Sequence, residues 1–232
     1  MSTFYGLHIA RTALAVSQKA IDVTGHNIAN ADTAGFSRQR LLTTAVDPAS
    51  GSSRFYTIGQ GQTGGGVQIQ TVDQIRSPFL DRQYRNENSR TTEWSTRADH
   101  LAYVEGLFDE LSGTGISDAL TRFANSLQEV SKNPVNKEYR TNLLQNASNL
   151  ADVLTHFSAQ LTEKQADQDQ AIVVSVNQVN VIARSIGDLN TQISKYELSG
   201  QKANDLRDKR NMLLDELSGL TGFEASENTD GE

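Results

Sequence analysis

The apolar positions of this 232-residue chain fall in periodic stripes, and the period changes at a few defined places. Leu7, Leu14, Ile21 and Ile28 recur every seven residues, and the positions three residues later are Ala10, Ser17, Thr24 and Ala31. The pattern predicts a helix over about Thr3 to Asn30 with a coiled-coil-like face, one half large and the other small, that admits close approach of a partner helix. The alternative is an ordinary amphipathic helix packed on its own domain. The strict seven-residue repeat and the lack of a second stripe favour the partner seam.

From about Leu41 to Thr71 the pattern shortens to period two. "RFYTI" and "GVQIQTV", separated by "GQGQTGGG", predict a hairpin or a pair of strands, with a turn at Asp47-Pro48 and Gly51-Ser52-Ser53 before them. Helical periodicity then returns for about 150 residues. Ser77-Pro78 is a start signal for a helix running to about Glu110, with Trp94, Leu101, Val104, Phe108 and Leu111 as its inward stripe. Ile116, Leu120, Phe123, Leu127 and Val130 mark a shorter helix that Asn133-Pro134 stops. Between Asn136 and Leu198 there is no proline and one glycine. One stripe there is Leu143, Ala147, Leu150, Leu154, Phe157 and Leu161. The other is Ile172, Val179, Ile182, Ile186, Leu189, Ile193 and Tyr196. "TEKQADQDQ" between them is polar all round, so either one long helix crosses it or two helices meet there. The two preceding helices are the expected packing partners. Asn204 to Ser218 is a final helix with Leu206, Leu213, Leu214, Leu217 and Leu220. The fold class is mainly α: an N-terminal coiled-coil-like helix, a small β element, then an elongated helical bundle with long helices.

Composition narrows the function. A formal net charge of −7 with scattered Lys and Arg argues against nucleic acid as the main partner. No run approaches the roughly 20 apolar residues of a transmembrane helix, so no membrane insertion is expected. The first 20 residues lack a basic region followed by a continuous apolar core, which predicts a cytosolic chain or one exported without a cleaved signal. The absence of cysteine excludes disulfides and cysteine-ligated zinc.

No constellation in the sequence supports catalysis, a metal or a cofactor. Gly59, Gly61 and Gly64 spell G-x-G-x-x-G, but the dinucleotide fingerprint needs a helix immediately afterwards, and a strand pattern follows. That glycine run reads as loop flexibility. His8, His26, His100 and His156 have no second ligand at metal spacing. Asp109-Glu110 and Asp215-Glu216 read as ordinary helical charge.

The most informative stretch is "HNIANADTAGFSRQR", His26 to Arg40. Turn and cap formers crowd into it, and Phe36 stands alone as a large apolar side chain. Ala29, Asn30, Thr33, Gly35 and Phe36 resemble the N-terminal signature of the bacterial flagellar axial proteins, a family of rod, hook and hook-associated proteins. Arg38 after Ser37, "GGGVQIQTVDQIRSPFLDRQYRNENS" and "NDLRDKRNMLLDELSGLTGF" are similar to the hook-associated branch. The resemblance runs from residue 4 to 223. It implies a structural, non-enzymatic subunit joining hook to filament, exported through the flagellar type III apparatus to the extracellular flagellum. Its implied partners are identical subunits, the hook protein and another hook-associated protein. The rivals are a rod or hook subunit, which would turn to β-structure after about residue 70, and a generic coiled-coil scaffold.

Under this reading residues 1–40 form an assembly helix and joint, 41–75 a connector, 76–220 the helical bundle, and 221–232 the start of a β-rich domain. The joint expects positive φ at Asn30 and Gly35, a cap from Thr33, docking of Phe36 between neighbouring parts, and pairing of Arg38 with a carboxylate. "GFEASENTDGE" begins as a strand and reaches a turn pair at Asp230-Gly231, which predicts the N-terminal part of a longer protein. The seam has no evident partner within the chain, so a free residue 1–40 segment is expected to be largely disordered.

Overall fold

The computed structural model describes residues 4–46, 64–107 and 115–228. The order of elements is α1 (Phe4–Ala29), β1 (Gln39–Ala45), β2 (Val67–Gln74), α2 (Pro78–Leu107), α3 (Ile116–Lys132), α4 (Lys137–Glu197) and α5 (Asn204–Ser218). The punctuation acts where the sequence placed it. Pro78 opens α2, Asn133 ends α3, and the Asn136 side chain accepts the Glu138 N–H at 2.8 Å to cap the start of α4. The polar stretch 162–170 does not interrupt α4, which is one helix of 61 residues.

β1 and β2 form a two-stranded antiparallel ribbon, from Gln39 opposite Gln74 to Ala45 opposite Val67. Leu42 faces Thr71 while Thr43 faces Ile69, so Gln70 is an extra residue on β2 and a bulge breaks the alternation. "GVQIQTV" is a strand as expected. Its partner is "QRLLTTA", which follows directly on the joint; "RFYTI" lies outside the described residues. The segment 221–228 is not a strand and runs without regular structure. Asp230-Gly231 is also outside the described residues.

The chain divides into two compact units. One comprises Met1–Asn88 and Asn180–Glu232, the other Ser89–Val179. In the first unit α1 packs on its own ribbon, which corrects the expectation that it lacks a second stripe and an internal partner. Ile9, Val16 and Val23 also recur every seven residues, two positions after the exposed set, and two positions are about 200° around a helix. Val23 is buried, and Ile9, Thr12, Val16 and Ala20 are half-buried on the same side. Gly66 lies beneath them at φ +102°, and a Cβ there would stand 2.5 Å from Thr12 Oγ1. Close approach of helix to ribbon, not loop flexibility, explains a glycine at this point of the run.

The remaining apolar core of this unit is Ile182, Ile193, Ala203 and Leu217, where the last turns of α4 meet α5. This half of α4 therefore meets α5, a neighbour that the stripes alone did not indicate. Ile182, Ile186, Leu189 and Ile193 point inward as their spacing predicts; Ile172 and Tyr196 are exposed.

In the second unit Lys164 Nζ sits 4.5 Å from the Tyr103 ring centroid, and Asn142 Nδ2 lies 3.5 Å from Glu129 Oε2, which sets α2 and α3 beside α4. Its apolar side chains are only half covered. Leu143, Ala147, Leu150 and Phe157 are half-buried, and Leu154 and Leu161 are exposed. Trp94 and Leu101 were expected to face inward and are instead 65% and 69% exposed, with the Arg97 guanidinium over the Trp94 ring. A Trp whose face is covered by its own helix's arginine keeps its edge in water at little loss. Val104 is half-buried; Phe108 and Leu111 lie outside the described residues.

Gly66→Ala is expected to destabilise the first unit by about 1–3 kcal/mol, because it combines a strained φ with a clash against α1. A thermal melt of helicity for the variant, with Thr12→Ala added to remove the clash but not the strain, measures both contributions.

A joint docked on the last helix

The joint begins where α1 stops. Asn30 N–H and Asn30 Nδ2 both donate to the His26 carbonyl, at 3.1 and 3.0 Å, so one side chain doubles the last helical bond. Thr33 N–H donates to Asn30 O at 3.0 Å, Thr33 Oγ1 lies 3.3 Å from Asn30 Oδ1, and Phe36 N–H donates to Thr33 O at 3.2 Å. Asn30 achieves this without positive φ; among the described residues only glycines have it, and Gly35 does at +78°. The Thr33 hydroxyl reaches the Asn30 side chain and not a backbone group, so the turn is closed by the Thr33 N–H. Ala29, the last residue of α1, is exposed.

Asn27 then splices helix to ribbon. Its Oδ1 accepts the Gln39 N–H and its Nδ2 donates to the Gln39 carbonyl, both at 2.8 Å, so the amide imitates a neighbouring strand. Phe36 packs edge-on against the His26 ring, with centroids 5.4 Å apart.

The joint lies against α5. Ser37 N–H donates to Asp208 Oδ2 at 3.1 Å, Gln39 Nε2 donates to Asp205 Oδ1 at 3.0 Å, and His26 Nε2 is 3.4 Å from the same Asp205 oxygen. A Cβ on Gly35 would stand 3.2 Å from Met212 Sδ. Arg38 makes no ion pair among the described residues; its carbonyl instead accepts the Ile75 N–H at 2.8 Å, extending the ribbon. The arginine that pairs is Arg76, which donates to Asp81 Oδ2 at 2.7 Å and Asp215 Oδ2 at 3.3 Å and lies 3.3 Å from Ser37 Oγ. Arg85 donates to Asp215 Oδ1 at 2.7 Å and Asn211 Oδ1 at 3.2 Å.

Sequence reading missed this network. Asp215 passed for ordinary helical charge, although it collects two arginines from the end of β2 and from α2. The available signal was a helix with Asp205, Asp208 and Asp215 interleaved with Arg207, Arg210 and Asn211, too polar for its inner face to be wholly apolar.

Gln74 Nε2 donates to Asp208 Oδ1 at 2.8 Å and to the Asn204 carbonyl at 2.9 Å. Burial raises the Asp208 carboxyl above its ordinary value, against the hydrogen bonds from Ser37 and the charge of Arg76. Glu197, at the end of α4, behaves oppositely. Arg207 donates to it twice, at 2.7 and 2.8 Å, and holds it below the ordinary carboxylate range despite desolvation; the Ala203 N–H adds a third bond.

On α1, Leu7, Leu14, Ile21 and Ile28 are 66%, 61%, 71% and 72% exposed, all on the side away from the ribbon.

Residues 101–232 match the family described as the flagellar hook-associated protein FlgK helical domain, and residues 7–36 match the flagella basal body rod protein family. This chain belongs to the flagellar hook-associated proteins. Similar relatives are flagellar hook-associated protein 1 of Bacillus subtilis, 36% identical over 230 residues, and that of Salmonella typhimurium, 28% identical over 219. These cover 99% and 94% of the hook-associated chain but 45% and 38% of the relatives, so it spans less than half their length. The rod-family match contains both the exposed row and the joint motif. The helical-domain match contains α3, α4, α5 and the acidic residues of α5 that hold the joint. No described helix of the hook-associated chain is long and apolar enough to cross a membrane.

Gly35→Val places a β-branched residue at positive φ and against Met212. The expected outcome is near-normal helicity by circular dichroism with faster tryptic cleavage at Arg38 and Arg40. The Glu197–Arg207 pair sets a pH dependence. A carboxyl depressed in the folded state contributes stability that is complete above its unfolded value near 4.5 and disappears as the pH falls through the lower folded value. Glu197→Gln is therefore expected to lose about 2 kcal/mol at pH 7 and to flatten the acid limb below pH 4.5, as read from urea midpoints at several pH values.

Proposed function

We propose that the chain is the N-terminal part of a structural subunit that joins the flagellar hook to the filament, without enzymatic activity. The observation that supports this best is the two-sided α1. One heptad row packs on the ribbon, and the other, Leu7, Leu14, Ile21 and Ile28, stays in water. Four exposed aliphatic residues at constant spacing are a strong apolar stripe, and such stripes mark helix partners. On this reading the stripe is the assembly seam and residues 27–39 are the joint that sets its direction. The partners are identical subunits, the hook protein and the next hook-associated protein, reached after export through the type III apparatus to the cell exterior. The relatives' name, hook-associated protein 1, agrees with this role. The likeness to rod proteins is confined to residues 7–36, which favours a hook-associated subunit over a rod subunit.

Leu14→Glu with Ile21→Glu alters only the exposed row, so the folded chain should keep its melting temperature. In cells carrying the complete protein, the double variant is expected to be secreted but to leave hooks without filaments, scored by electron microscopy. Filaments of normal length on those hooks would show that the row is not the seam.

A further inference from the structure

The first unit contains a cleft of about 700 Å³ lined by β1, the end of β2, α2, α4, α5 and the segment 225–227. Seven cationic side chains line it against three carboxylates, in a chain whose net charge is −7. Most of those cations are engaged. Arg76 and Arg85 are held by Asp81 and Asp215, Lys202 lies 2.9 Å from Asp73, and Arg207 is bound to Glu197. Arg210 donates to Asn190 Oδ1 at 3.0 Å and lies 3.3 Å from Glu227 Oε1. Arg40 and Arg82 remain: both are exposed and neither has an ion-pair partner among the described residues.

The chain itself shows what the cleft accepts. Ala225, Ser226 and Glu227 form part of its wall, on a segment without regular structure, and the Glu227 carboxylate reaches both Arg207 and Arg210. A length of irregular backbone carrying a carboxylate is thus already seated at one side of the cleft. We propose that the cleft is a binding site for an acidic, extended polypeptide segment of another protein, recognised through Arg40 and Arg82. The volume exceeds that of a phosphate or a single carboxylate, and guanidinium groups fit carboxylates with two parallel donors. Among the described residues no aromatic side chain lines the cleft, so those residues offer no stacking platform of the kind single-stranded nucleic acid uses. This inference does not depend on the role of the exposed row on α1.

The test uses the 232-residue chain and fluorescein-labelled hexaglutamate, followed by fluorescence anisotropy at low ionic strength. Saturable binding is expected, weakened at least tenfold by Arg40→Gln with Arg82→Gln. Arg11→Gln, at an exposed arginine on α1 with no ion pair among the described residues, should leave it within twofold. Because Arg40 and Arg82 make no ion pair among the described residues, the double variant should keep its circular dichroism and melting temperature. Arg82→Gln alone, on a helix that tolerates glutamine, should still weaken binding about threefold. Binding that the double variant retains would overturn the proposal. So would complete displacement of the peptide by inorganic phosphate at equal concentration, which would mark a small-anion site. Tighter binding of oligothymidylate than of hexaglutamate through the same two arginines would overturn it as well.

Discussion

The first unit depends on the polar face of α5. Asn204, Asp208, Arg210 and Ser218 are buried there, and a buried polar group without a partner is strongly destabilising. Each therefore recruits a neighbour. Asp208 takes the joint through Ser37 and β2 through Gln74; Asp215 takes Arg76 and Arg85; Arg210 takes α4 through Asn190. Asn204 Nδ2 donates to the Val72 carbonyl at 2.7 Å, and Ser218 Oγ accepts Asn88 Nδ2 at 2.8 Å. Hydrogen bonds have direction, so this face fixes where ribbon, joint and helices stand more narrowly than an apolar face would.

That constraint leaves α1 free to be two-sided. The ribbon, anchored on α5, offers one apolar surface to Ile9, Val16 and Val23, and Gly66 lets the helix come close. The other heptad row has nothing to pack against within the described residues. The same helix thus satisfies both readings that its sequence allows: it packs on its own domain, and it presents an unpartnered stripe.

The second unit is held differently. Among its described residues the helices bury little beyond Ser126 and keep many aliphatic side chains half covered. Intrahelical hydrogen bonds and i,i+4 pairs such as Arg97–Glu93 and Arg122–Asp118 contribute only tenths of a kcal/mol each. Helices this long gain most of their stability from packing, and in this unit the packing surface within one chain is thin.

Local chemistry determined what the sequence could reveal. Proline and asparagine at helix ends, the 3.6-residue period, and the glycine that the joint needs at positive φ act over a few residues. Most helix starts and stops and the turn at 30–36 could thus be read directly, whereas the continuity of α4 through 162–170 could not. The motif around Phe36 likewise pointed to the axial proteins, and the stretches at 64–89 and 204–223 to the hook-associated branch. Tertiary structure alone decided which stripe of α1 faces inward: the smaller row, Ile9, Val16 and Val23, meets the ribbon, and the larger Leu7, Leu14, Ile21 and Ile28 row does not. It alone decided that "QRLLTTA", directly after the joint, pairs with β2. It also decided that Arg76, not Arg38, meets a carboxylate. Ion pairs and strand pairing join residues that are far apart in sequence, such as Arg76 and Asp215, and no local pattern marks one member for the other.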